Sequence, residues 1–440
     1  MTLSTILAAF DRHPSVSTDT RKIKPNDLFF ALKGENFNGN KFAGKALEAG
    51  ASYAIVDEVE FVPAGDDRYI LVEDVLTSLQ NLATEVRRRF SIPFIGITGT
   101  NGKTTTKELV HAVLSSEKRV HATAGNLNNH IGVPLTLLAV PSNVEIAIIE
   151  KGANKIGDIA ELAAIAEPDY GMITNIGYAH LERFGDIDGV TQTKGELFDF
   201  LRSVNGCGWI NERDPRVLLR SKGLNCRYTY GAEGSDYTVI SQKQTGQGME
   251  VVIRMKDRTE TFTSQLVGPH NAENILAAVI IGDTMGISLS SMKTALAEYK
   301  PRMNRSQLVT GGKFDVLLDA YNANPSSMAA TIRSVAERNE ASVGLILGDM
   351  FELGPEGPRF HQELVELVAE VLPNAHVVGV GELMTQAIEG HCKQSHSTYA
   401  KVEDAFGSIQ NEMEGRSFIL IKGSRGVALE RILPSLGIEV

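Results

Sequence analysis

Apolar residues along the chain come first as short runs and then as spaced stripes, and the pattern changes character twice. Up to about residue 90, short apolar runs at 28–32, 53–56 and 69–72 predict strands set among helical stretches. The last helix of this part carries Leu79, Leu82, Ala83, Val86 and Phe90 on one face. Arg87, Arg88 and Arg89 follow it and read as a solvated, basic helix end. Pro93 stops that helix. From there the order becomes strand, loop, helix: apolar runs at 94–98, 144–149 and 170–174, with a helix expected over 105–114. Such runs have no polar face, so they predict a parallel sheet covered by helices on both sides. Between about 206 and 267 the pattern shifts to short strands and turns with Gly231, Gly234, Gly246 and Gly248, which predicts an antiparallel extension. A helix over 271–285 closes the unit. The second change falls near Pro301, after which strands at 314–318, 343–347, 376–380 and 418–421 alternate with helices such as 358–371.

The expected fold class is therefore α/β, in units spanning 1–91, 92–301 and 302–440. The chain has 440 residues, too many for one hydrophobic core, which agrees with that division. With 42% hydrophobic and 22% charged residues, the composition is that of a globular protein. A net charge of -11 offers no general attraction for nucleic acid or an anionic membrane. No apolar run approaches a membrane span, and the first residues lack the basic flank and long apolar core of a signal peptide. Cys207, Cys226 and Cys392 are widely spaced and form no metal or disulfide framework, so reduced thiols are expected. These features predict a cytoplasmic protein without nucleic-acid partners or membrane insertion. Nothing suggests an obligate oligomer, so a monomer is expected.

The densest chemical signal is Gly96-Ile97-Thr98-Gly99-Thr100-Asn101-Gly102-Lys103-Thr104-Thr105. A strand runs into a glycine-bearing loop and then a helix start, where backbone N–H groups can surround phosphate oxygens. Lys103 adds a positive charge, and the Thr104 hydroxyl suits Mg²⁺. The match to the general phosphate-loop pattern is partial, because Ile97 stands where that pattern has glycine. Phosphate binding alone leaves kinases, ATPases and ligases open.

Downstream, Glu150 ends an apolar run and is followed by Lys151-Gly152-Ala153-Asn154. A carboxylate at a strand end near the loop is placed to hold a divalent cation. His180 lies in the post-strand run Thr174-Asn175-Ile176-Gly177-Tyr178-Ala179-His180, and Lys194 follows in Thr193-Lys194-Gly195-Glu196. By itself Lys194 reads as a solvated helix lysine, and Asn271 as a helix N-cap.

In this order and spacing, the motifs resemble the Mur ligases of cell-wall synthesis and their folylpolyglutamate synthase relatives along almost the whole chain. The resemblance implies a central ATP-binding domain with a phosphate loop. It also implies a small amino-terminal domain for a uridine nucleotide and a carboxy-terminal Rossmann-like domain. It implies ATP bound by Gly99, Thr100, Asn101, Gly102, Lys103, Thr104 and Thr105, with Asn271 at the adenine and Arg305, rather than Arg302, at a phosphate. Asp319 would contact the nucleotide, while Asn322 and Asn324 would lie near the peptide substrates. Mg²⁺ would be held by Thr104 and Glu150, and a second ion by His180 and Lys194 as a carbamate formed with CO₂. The catalytic set would be Lys103, Glu150, His180 and Lys194. Related chains usually carry Met where this one has Lys151, which could disturb the metal site or point into solvent. Ser17, Thr18 and Arg21, with the segment 27–34, resemble the uridine-nucleotide region that folylpolyglutamate synthases lack.

The run Asp319-Ala320-Tyr321-Asn322-Ala323-Asn324-Pro325 is most like the family member that joins D-alanyl-D-alanine to UDP-N-acetylmuramoyl-tripeptide through an acyl-phosphate. The segments 348–354 and 422–425 also fall after strands, at a sheet edge suited to ligands. Two alternatives stand beside this reading: the member that adds the third amino acid, and a catalytically inactive nucleotide-binding regulator.

Overall fold

The structure is a computed structural model that describes residues 2–245, 248–301, 306–310, 313–338 and 340–438. Arg302 and Arg305 lie outside the described residues. Three main sheets follow one another along the chain. The first is a parallel four-stranded sheet of Val16–Ser17, Leu28–Phe30, Tyr53–Val56 and Tyr69–Leu71. The helix Val75–Arg87 packs on it through Val75, Leu79, Leu82, Ala83 and Val86, the face that the apolar spacing indicates.

The arginine cluster at the end of that helix is a solvated end at Arg88 and Arg89, which are exposed, but not at Arg87. Arg87 is buried, with its ring-facing side 3.8 Å from the Phe94 centroid. It donates to the carbonyls of Ala166 (3.0 Å) and Glu167 (2.7 Å) and pairs with Asp169 at 3.0 Å. Arg88 pairs with Glu85 and Glu167, and Arg89 with Asp11. A guanidinium stays buried when backbone carbonyls and a carboxylate satisfy its fixed fork of donors. Here those acceptors come from the next unit, so Arg87 fastens the first sheet's helix to the central sheet.

The central sheet has nine strands, ordered by first residue as 258, 248, 237, 226, 207, 170, 94, 146 and 120. The strand Phe94–Thr98 lies inside it, between Tyr170–Ile173 and Ile146–Glu150, with parallel neighbours on both sides. The antiparallel extension is shorter than the turn pattern suggests. Cys207–Asn211 and Cys226–Tyr230 join the sheet in parallel, because the helix Pro215–Arg220 carries the chain back between them. Only the pairings from Tyr237–Thr245 through Arg258–Ser264 are antiparallel. Cys207 and Cys226 stand opposite each other in register and are joined as a disulfide, contrary to the expectation of reduced thiols. Nineteen residues apart in sequence, they are brought together by the strand pairing alone.

The last sheet orders its strands by first residue as 307, 315, 418, 343, 376 and 396, all parallel except the first pair. Helices cover both of its faces and bury two separate clusters of aliphatic side chains. Among the described residues, no helix is long and apolar enough to cross a membrane.

Candidate active site

The strand Phe94–Thr98 ends in the phosphate loop, and the helix Lys103–Ser115 begins immediately beyond it. Gly99 needs its glycine: φ is +145°, and a Cβ there would sit 1.9 Å from the Thr174 hydroxyl oxygen. Gly102 adopts φ +76° at the helix start, where a Cβ would meet the Asn274 amide at 2.5 Å. The loop is braced from the neighbouring strand end. Thr100 N–H donates to the Asn175 carbonyl (2.9 Å), and Asn101 N–H donates to the Asn175 side chain (2.9 Å). With those two N–H groups engaged, the open donors at the loop are the N–H groups of the helix's first turn, which have no partner within the helix. Lys103 Nζ folds back to donate to the Gly99 and Thr100 carbonyls at 2.7 and 3.0 Å, across the mouth of the loop.

The loop opens into a cavity of about 370 Å³. Its lining unites much of what the motifs single out: Thr100, Asn101, Gly102, Lys103, Thr104 and Thr105 with Glu150, His180, Asn271, Asp319, Asn322 and Asn324. The central and carboxy-terminal sheets each supply one wall, both at the carboxyl ends of parallel strands, where open α/β sheets bind ligands. Gly99, the first residue of the loop, is not part of the lining. Lys194 is buried on the helix Ile187–Ser203, outside the lining. Ser17, Thr18 and Arg21 lie at the end of the first strand of the small sheet, outside this cavity. Ser17 is buried, while Arg21 is exposed and paired with Asp19 at 2.8 Å.

Glu150 is the clearest cation candidate. Its Oε1 accepts from Thr104 Oγ1 (3.1 Å) and from Asn128 Nδ2 (2.8 Å). Its Oε2 is buried and has no hydrogen-bond partner. A buried carboxylate oxygen left open in this way suits a cation that also takes phosphate oxygens, as Mg²⁺ does. No group of three or more His, Cys, Asp or Glu side chains forms a self-sufficient metal cage among the described residues. The residues therefore fit an ion that arrives with nucleotide. Asn128 was not singled out from the sequence; its polar run, Asn126-Leu127-Asn128-Asn129, was the available signal.

His180 occupies a left-handed conformation (φ +52°) at the start of a short helix. Burial pushes its imidazole below the usual range against the opposing pull of Glu352. Its Nδ1 lies 2.5 Å from Glu352 Oε2 but makes no aligned hydrogen bond. The next residue, Leu181, is buried within the carboxy-terminal apolar cluster, so this central loop is seated in the other unit. Lys194 is not a solvated lysine. Burial, reinforced by the charge of Lys103, pulls its amine down to about 7. An amine held there is half neutral near neutral pH and can react with CO₂.

Lys151 neither faces solvent nor shares the face of Glu150. Successive strand-end residues point to opposite sides, and Lys151 is fully buried beneath the sheet, its Nζ close against Gly96 and without a hydrogen-bond partner. Burial, then the charge of Arg87, pulls its amine down to about 7.

Asn271 does not cap its helix. His270 takes that position, and the Asn271 amide donates to the Val267 carbonyl (2.7 Å) and accepts from Asn274 (2.8 Å). Across the cavity, Asp319 is held by Lys422, a buried residue at the end of the strand Phe418–Lys422. Burial raises the Asp319 carboxyl, yet Lys422 more than offsets this and leaves it below the usual range. Asn324 caps the helix Pro325–Glu337 and reaches Asn101 on the phosphate loop.

Comparison with known proteins agrees with this layout. Residues 14–87 match the Mur ligase family catalytic domain, 97–282 the Mur ligase middle domain, and 302–425 the Mur ligase glutamate ligase domain. The UDP-N-acetylmuramoyl-tripeptide–D-alanyl-D-alanine ligase of Bacillus subtilis is 36% identical over 428 residues, covering 96% of this chain and 92% of that protein. The crystal structure of MurF from Acinetobacter baumannii superposes with a TM-score of 0.88 at 29% identity, covering 96% of this chain and 93% of that one. The MurF ligase of Thermotoga maritima, solved in complex with ADP, gives 0.85 at 28% identity and 96% coverage of both chains. With that likeness running through all three sheets, the chain belongs to the Mur ligase family.

Proposed function

We propose that this chain is an ATP-dependent ligase that joins D-alanyl-D-alanine to UDP-N-acetylmuramoyl-tripeptide in the synthesis of peptidoglycan precursors. The observation that carries the reading is the single cavity in which Lys103 and Glu150 of the phosphate-loop side face Asp319, Asn322 and Asn324 of the carboxy-terminal side. A ligase needs both walls: one to handle ATP, the other to bring an amine to the activated carboxyl.

The reaction proceeds in two steps. The terminal carboxylate of the tripeptide attacks the γ-phosphorus of ATP, ADP leaves, and an acyl-phosphate forms. The amine of D-alanyl-D-alanine then attacks the carbonyl carbon, loses a proton, and the tetrahedral intermediate expels inorganic phosphate. Lys103 and the first turn of its helix bind and orient the phosphates, with Gly99, Thr100, Asn101, Gly102, Thr104 and Thr105 shaping the loop. Glu150 and Thr104 would hold Mg²⁺, which supplies charge neutralisation on the phosphate oxygens when bound. His180 and a carbamate on Lys194 would support a second ion. Asn271 and Asp319 belong to the nucleotide end, and Asn322 and Asn324 to the peptide end. Ser17, Thr18 and Arg21 are assigned to the uridine nucleotide in the unit 1–91. Residues 92–301 act as the ATPase unit and 302–440 as the ligase unit. Closure of the two walls around the bound ligands would exclude water that could otherwise hydrolyse the acyl-phosphate. Operation as a cytoplasmic monomer, without nucleic acid or membrane insertion, completes the proposal.

The test is phosphate release from ATP and Mg²⁺ with UDP-N-acetylmuramoyl-tripeptide, with and without D-alanyl-D-alanine, on the wild type and Lys103→Ala. Release that needs both substrates and vanishes in the variant supports the reading. Release with a single amino acid and the shorter precursor moves the chain to the neighbouring step.

A further inference from the structure

The phosphate loop carries a side chain that does not face its own helix. Asn101 projects across the cavity onto the start of the helix Pro325–Glu337, which belongs to the carboxy-terminal sheet. Three hydrogen bonds close a ring there. Asn101 Nδ2 donates to Ser326 Oγ at 2.9 Å, Ser326 Oγ donates to Asn324 Oδ1 at 2.9 Å, and Asn324 Nδ2 donates to Asn101 Oδ1 at 2.7 Å. Every member gives one proton and takes one, so the ring runs in one sense and fixes the orientation of both amides. A cycle of this kind strengthens each of its bonds by mutual polarisation.

Both ends of the ring are rigidly backed. The Asn101 N–H is taken by the Asn175 side chain at 2.9 Å, and its carbonyl accepts from Thr174 Oγ1 at 2.7 Å and Asn175 Nδ2 at 3.1 Å. On the other side, Asn324 Oδ1 also accepts Ser327 N–H at 2.9 Å, and Ser327 Oγ accepts Asn324 N–H at 3.1 Å. The backbone N–H of Asn101 is thus unavailable to phosphate, while its side chain spans the seam between the two walls.

We propose that Asn101 is a positioning residue: its side chain sets the register of the carboxy-terminal unit on the phosphate loop through Asn324 and Ser326. The acyl-phosphate forms at the loop and the amine arrives from the opposite wall, so the ring governs the approach of one to the other. An error near 1 Å in such an approach costs about 10²-fold in rate. The ring works on the second half of the reaction without holding ATP.

This rests on the ligase reading, and wild-type phosphate release that requires both substrates tests that reading separately. The experiment compares Asn101→Ala, Ser326→Ala and the double variant in steady-state kinetics. Ser326 is exposed at the helix start, so Ser326→Ala leaves the fold and the Asn324 cap in place. Each single variant is expected to lose about 10- to 100-fold in kcat, with the ATP KM moving less than about twofold. The double variant is expected to lose no more than the worse single one, and Ser326→Thr, which keeps the hydroxyl, is expected to retain kcat. Losses that multiply in the double variant, a loss confined to the ATP KM, or an unchanged kcat each overturn the proposal.

Discussion

Replacing Lys151 with methionine should stabilise the central unit substantially, and the gain should depend on pH in a defined direction. The side chain is fully buried and its amine has no hydrogen-bond partner. Its pKa falls from 10.5 to about 7, first through burial and then through the charge of Arg87. At 1.36 kcal/mol per pKa unit, that fall makes the folded state less stable by on the order of 5 kcal/mol at any pH below about 7. The unfolded lysine binds its proton more tightly than the folded one. Stability of the wild type therefore rises as pH climbs from about 7 towards 10.5, and above that range the deficit is gone. Methionine keeps the length and apolar stem and carries no proton, so Lys151→Met removes the deficit at all pH values. Trp209 is the sole tryptophan and lies buried in the central sheet, so its fluorescence reports this unit. Urea unfolding of both proteins from about pH 6 to about pH 10 gives the difference curve directly. The variant should be several kcal/mol more stable near pH 7, an increase of about 10 °C or more in Tm for a unit of this size. The difference should shrink steadily towards high pH. A variant no more stable than the wild type at neutral pH, or a gain that stays constant with pH, would refute the reasoning.

Other consequences follow from the same contacts. Glu150→Gln keeps the shape that Thr104 and Asn128 contact but removes the negative charge. It should raise the Mg²⁺ concentration needed to tighten ADP binding by about 10- to 100-fold, read by calorimetry with and without the metal. Carbamylation of Lys194, whose amine sits at about 7, should increase as pH rises through that value, because only the neutral amine reacts. A carbamate carbon signal from labelled bicarbonate that persists in Lys194→Ala would assign the modification elsewhere. Arg87→Ala strands two carbonyls and Asp169 at the joint between the first two units. It should cost about 2–3 kcal/mol in thermal unfolding, and a loss below about 0.5 kcal/mol would mean the joint holds without it. Leu181→Ala removes an apolar side chain from the carboxy-terminal cluster. A loss of about 2–3 kcal/mol of packing there should open the two walls, seen as a larger radius of gyration by solution scattering.

Much of the fold was legible in the sequence because short apolar runs between helices can pack in few ways. The strand Phe94–Thr98, the loop after it and Glu150 at the end of Ile146–Glu150 lie where periodicity and the glycines indicate. A strand end and a helix start leave backbone donors unpaired wherever they occur, so local sequence suffices to locate the phosphate loop. Tertiary structure decided what each charged side chain meets. Taken alone, Lys194 reads as a surface lysine, and Lys151 as either disturbing the metal site or facing solvent, yet both are buried, because burial depends on layers packed from distant segments. Arg87 became a joint only because Ala166, Glu167 and Asp169 lie beside it. Cys207 and Cys226 met through strand register, and Asn101 met Asn324 through the placement of one unit on another. The sequence by itself determined the elements and the phosphate chemistry, which depend on residues a few positions apart. The pairing of charges, thiols and amides across the chain depended on where whole sheets come to rest, and only packing determines that.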